Sequence, residues 1–119
     1  MAGEFGVRVA DPGSAREVAA VVIHTSGSRA GLSLALTVAG FEATIVEMSW
    51  YGDQAVSLPL GEAFHSRRLT IRSSQVGEVA ASQRARRSLS QWMQAAPALL
   101  WGPVPDALLT GQGPVEPMA

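Results

Sequence analysis

The residues best suited to chemistry stand where apolar, β-branched runs give way to small polar ones: Thr25-Ser26-Gly27, Ser49-Trp50-Tyr51-Gly52 and Arg72-Ser73-Ser74. Hydroxyls can hydrogen-bond a ribose, an amide or a phosphate, and glycine lets a backbone come close to a ligand. If the preceding runs are parallel strands, the three ends share one sheet edge. Open α/β sheets bind ligands at that edge. Small polar residues also merely terminate strands, and spacing alone does not separate the two readings.

His24 and His65 are the only histidines, and neither has a second His or a Cys at metal-ligand spacing. His24 lies inside an apolar run and reads as a core or interface histidine. His65, in "AFHSRRL", reads as a solvated loop residue, with a ligand phosphate shared with Arg67 or Arg68 as the alternative. No nucleophile with a paired base can be assembled from residues so scattered along the chain. The phosphate-binding pattern G-x-G-x-x-G is missing, and without lysine there is no Walker motif.

The elements that would position these residues follow from periodicity and punctuation. "AVVIHT" (20–25) predicts a strand buried on both faces, as in a parallel sheet. Ser28 is a candidate N-cap, Leu32, Ala35, Leu36 and Ala39 recur at helical spacing, and Gly40 stands where a glycine stops a helix, so a helix is expected over 28–39. "EATIVEMS" (42–49) and "RLTIRSS" (68–74) read as further strands. The short strand–helix–strand succession implies a crossover with parallel pairing.

"GVRVA" (6–10) suggests a short strand, with a short helix over roughly 14–18 after the turn residues Asp11 to Ser14. The connection 50–66 has room for one helical turn near Glu62–Ser66. A second helix is expected from 82 to about 96, with Leu89, Trp92, Met93 and Ala96 on one face, ending before Pro97 because an interior proline deletes a hydrogen bond. "DALLTG" suits one docked turn. The fold class that results is α/β: a partial Rossmann-like domain over 1–112, with a mainly parallel sheet of three or four strands and flanking helices, and a disordered tail over 113–119.

With 119 residues, the chain fits one small domain, and 47% hydrophobic against 16% charged residues excludes an ordinary disordered tail. The net charge of −1 gives no general attraction to nucleic acid or to a membrane surface. Every basic residue is arginine, which coding bias explains as readily as phosphate recognition. Absent cysteine excludes disulfides, iron–sulfur clusters and Cys-ligated zinc within this chain. No apolar stretch approaches the roughly 20 residues of a spanning helix, and the N-terminus lacks a signal-peptide pattern, so a cytoplasmic protein is expected.

"VVIHTSGSRAGLSLALTVAGFEATIVEMSWYGD", "LPLGEAFHSRRLTIRSSQVG" and "DALLTG" together resemble the C-terminal part of zinc-type medium-chain alcohol dehydrogenases, over about residues 6 to 112. The resemblance implies the later half of a Rossmann domain binding NAD or NADP. By it, Thr25, Ser26, Gly27, Ser49, Trp50, Tyr51, Gly52, Arg72, Ser73 and Ser74 would line the nicotinamide and its ribose, largely through backbone groups. The family's zinc-bearing domain and first βαβ half, with its glycine fingerprint, have no counterpart in this sequence. Zinc is therefore not expected on this chain, and no catalytic residue is assigned.

The expected function is that of a truncated dehydrogenase segment, inactive alone, that supplies the nicotinamide side of a cofactor cleft to a complementary segment. The alternative is a non-enzymatic α/β domain that associates with itself through unpaired strand edges. Nucleic-acid binding through Arg67, Arg68, Arg72 and Arg84 to Arg87 is a weaker third reading.

Overall fold

The computed structural model describes residues 6, 8–15, 18–101 and 103–108. These fall into two compact units, one over Ala10–Val76 and one formed by the described residues of Met1–Val9 and Gly77–Ala119.

The first unit is α/β, with a parallel sheet of the partial Rossmann-like kind. Strands β1 (Ala19–His24), β2 (Ala39–Glu47) and β3 (Thr70–Ser73) pair in the order β1-β2-β3, all parallel. Helix α1 (Arg29–Val38) makes the crossover from β1 to β2. Its start follows the sequence: Ser28 is extended, and its hydroxyl accepts the Gly31 amide at 3.0 Å. Its buried face, Leu32, Ala35 and Leu36, packs with Ala39, Ala43, Ile45 and Leu69 to form the core. Full burial of a Leu or Ile side chain contributes about 1.5–3 kcal/mol, so Leu36 and Ile45 anchor this layer.

The end of α1 departs from expectation. Gly40 does not stop the helix but lies inside β2, which begins directly at Ala39. A Cβ at position 40 would meet Val18 Cγ1 at 2.6 Å and the Ala19 carbonyl at 3.4 Å, so Gly40 serves close strand approach. The orphan carbonyls at the helix end are met by Arg67, whose Nη1 donates to Thr37 O at 2.9 Å and to Ala39 O at 2.7 Å. Arg67 is thus a helix cap, while Arg68 pairs with Glu42 at 3.2 Å and His65 is exposed.

Two-sided burial of the first strand is also corrected. Val22 and His24 face α1, but Val21 and Ile23 on the opposite face are 59% and 64% exposed. One crossover helix covers one face only. Strand β2 is longer than expected and irregular at its start: pairing jumps from Ala19↔Ala39 to Val21↔Thr44, and Glu42 takes a positive φ of 58°. Between β2 and β3 a helical turn over Leu60–Phe64 continues to Ser66 and packs Ala63 and Phe64 on the core. No strand forms at Gly6 or Arg8–Ala10, and Pro12–Ser14 make a 3-10 turn capped by Asp11. Part of the expected 14–18 helix and the whole 113–119 tail lie outside the described residues.

In the second unit, helix α2 (Leu89–Leu99) starts later and ends later than expected. Ser88 and Gln91 form a reciprocal capping box, which places Arg84, Arg86 and Arg87 before the helix, where turns over 80–87 hold them. Pro97 does not end α2 but lies within it, two residues before its last residue Leu99. Helix α3 (Pro103–Leu108) takes in the first three residues of the expected 106–111 turn, and the rest of that turn lies outside the described residues.

Candidate functional site

The parallel register aligns His24, Glu47 and Ser73 as the last rung of the sheet. Alternation puts all of them on the face that carries Val22, Ile45 and Ile71. His24 is 5% exposed, yet both ring nitrogens have partners. Nδ1 lies 2.7 Å from Glu47 Oε2, and Nε2 lies 2.7 Å from Ser26 Oγ. An ionised carboxylate only accepts, so the Nδ1 proton points to Glu47 and Nε2 offers its lone pair to the Ser26 hydroxyl. Ser26 Oγ in turn lies 3.0 Å from Ser28 Oγ, and because Ser26 gives its one proton to His24, it accepts here and Ser28 donates.

Glu47 is held from several sides. Its Oε1 accepts the Ser49 amide at 2.7 Å, and its Oε2 accepts the Tyr51 hydroxyl at 3.2 Å as well as His24. Burial alone pushes this carboxyl up, but the Ser49 amide and hydroxyl and the facing His24 outweigh it, leaving its pKa below the ordinary carboxylate value. Burial and the Glu47 charge, with their hydrogen bond, raise the Tyr51 phenol. The Ser49 hydroxyl accepts the Gly27 amide at 2.9 Å and ties the two strand ends together. Gly27 can do this because its φ is +60°.

Helix α1 presses against this network at Gly31. A Cβ there would collide with Ser26 Oγ and lie 2.7 Å from His24 Nε2 and 3.0 Å from Ser28 Oγ. The turn after β1 folds Ser26 back onto His24, two residues earlier, so a hydroxyl and an imidazole that the sequence reading left apart are in hydrogen-bond contact. His24, Glu47, Ser28 and Gly31 are the functional candidates that sequence reasoning passed over.

Two pockets flank the rung. One of about 560 Å³ lies between the ends of β2 and β3, lined by residues that include Met48, Ser49, Trp50, Ser73, Ser74 and Val76. The other, about 360 Å³, lies beside α1, and its lining includes Thr25, Ser26, His24, Val22, Leu34 and Val38. Both are in the size range of small-ligand sites.

No family model, curated protein or solved structure matches the chain.

Of the residues singled out in the sequence, Thr25, Ser26 and Gly27 follow β1, and Ser49 to Gly52 follow β2, all at one sheet edge. Ser73 and Ser74 join them at the end of β3. Arg72 does not share their face, since it pairs with Val46 and alternation turns it to the other side of the sheet. Trp50 is 91% exposed at the pocket margin, and Gly52 makes a turn at φ +64°. Among the described residues, no group of three or more His, Asp or Glu is placed to hold a metal ion, and no helix is long and apolar enough to cross a membrane.

Proposed function

We propose that the chain supplies the nicotinamide-side half of an NAD- or NADP-binding cleft, as a segment of an alcohol-oxidising dehydrogenase system that is inactive alone. The observation that supports this most is the 560 Å³ pocket at the carboxyl edge of a parallel sheet, lined by Ser49, Trp50, Ser73 and Ser74. The residues fit one end of the cofactor only. Trp50 offers an aromatic face, and Ser73 and Ser74 offer hydroxyls for a carboxamide and a ribose. The pyrophosphate would need a glycine-rich helix start, which a complementary segment would bring together with the zinc ligands.

Bound NAD or NADP would accept a hydride from the alcohol carbon; the share of this chain is to bind and orient the ring. The Gly27 amide and Ser49 hydroxyl already bind each other, so ring contacts fall to the β2–β3 side of the edge. This reading carries a cytoplasmic setting, where the cofactor pool is found. Titration with NADH and NADPH, followed by nicotinamide fluorescence, tests it. Saturable binding that Trp50→Ala weakens at least tenfold is expected, and no binding up to millimolar cofactor overturns it.

A second reading, self-association, rests on a different observation. The sheet face bearing Val21 and Ile23 is exposed, and β1 and β3 each have an edge unpaired among the described residues. Sedimentation equilibrium should then give a mass that rises with concentration; a constant monomer mass removes this reading.

A further inference from the structure

We infer that Ser26, His24 and Glu47 form a nucleophile, general base and orienting carboxylate that cleave small carboxylic esters with apolar acyl groups. The proposal is independent of the cofactor reading and stands on the relay geometry. The base lies within hydrogen-bond reach of both partners, at 2.7 Å on each side. The order is the productive one: the carboxylate fixes the Nδ1 proton, so that Nε2 is free to take the hydroxyl proton. Glu47 cannot swing away, because the Ser49 amide and the Tyr51 hydroxyl also hold it. His24 and Glu47 are shielded while Ser26 is exposed, so the base is protected and the nucleophile is reachable.

The adjoining 360 Å³ pocket says which substrates fit. Val22, Leu34, Ala35 and Val38 give it an apolar wall suited to a short acyl chain, with Ser26 and His24 in its lining. Gly31 keeps this space open, since any side chain there would fill the point where Ser26 meets His24. At the start of α1 the Gly31 amide is taken by Ser28 Oγ, so what the helix end contributes is its dipole, which favours developing negative charge on an oxyanion.

The reaction balances with water as the only co-reactant. Ser26 Oγ attacks the ester carbonyl carbon as its proton passes to His24 Nε2. The carbon–alkoxy bond then breaks, and the leaving alcohol takes that proton. A water molecule attacks the acyl-serine, giving one proton to His24; the bond to Ser26 Oγ breaks and the serine recovers the proton. The products are the carboxylic acid and the alcohol.

The test treats the full chain with diisopropyl fluorophosphate, reads intact mass and locates the adduct by peptide mapping, with p-nitrophenyl butyrate hydrolysis in parallel. One adduct per chain on Ser26 is expected, with ester turnover lost in Ser26→Ala and labelling slowed about 100-fold or more in Glu47→Gln. Ser57→Ala, at an exposed position in the 50–66 connection, should still be labelled at Ser26 at the wild-type rate. Wild-type protein that is folded by circular dichroism but unlabelled at Ser26 overturns the proposal, as does equal labelling of several serines.

Discussion

Glu47 carries more of the corner than any other side chain. Its replacement by Gln leaves the ring and hydroxyl donors with a weaker acceptor, and we expect a loss of about 1.5–3 kcal/mol in urea unfolding at neutral pH. The sign with pH follows from its lowered pKa. A carboxylate whose folded pKa lies below its unfolded value stabilises the fold above the unfolded pKa, and that contribution is lost as the pH falls through the lower folded value. Unfolding curves on the acidic side should therefore converge for wild type and Glu47→Gln; a constant gap between them would contradict the assignment. The sequence concealed this residue for a geometric reason. Aligning the expected strand ends, Thr25 and Ser49, pairs His24 with Met48 and sends Glu47 to the other face, whereas the register pairs His24 with Glu47. A slip of one residue exchanges the two faces of a strand.

At the scale of elements, helix α1 tests whether local propensity or local contact decides. Alanine is favoured over glycine by about 1 kcal/mol inside a helix, so Gly31→Ala would stabilise an isolated helix. Here its methyl group would strike Ser26 and crowd His24, and we expect net destabilisation of about 1–3 kcal/mol, measured by thermal or urea unfolding. Net stabilisation would show that the relay gives way at little cost. At the other end of α1, Arg67→Ala removes charged hydrogen bonds to two carbonyls and should cost about 1.5–3 kcal/mol. The start of α1 was legible because Ser28 and the spacing of Leu32, Ala35 and Leu36 agree. Its end was not, because the cap is supplied by Arg67, some thirty positions away from Thr37 along the chain. The start of α2 is set by the Ser88–Gln91 capping box, a signal present in the sequence and in step with the apolar spacing that begins at Leu89, whereas the expected start at 82 took in the arginine turns before it.

For the molecule as a whole, the α/β class and the gathering of strand ends on one edge were legible from β-branched runs separated by a capped helix. What periodicity did not convey was coverage: a continuous apolar strand suggests two buried faces, and one of them is exposed. The central claim is that the edge between β2 and β3 receives a nicotinamide ring. The most direct test is to add NADH to isotopically labelled protein and follow backbone amide resonances. The account predicts saturable shifts concentrated at 48–50 and 73–76, with the buried residues of α1 unmoved. Shifts confined to other segments, or none at millimolar NADH, would contradict it.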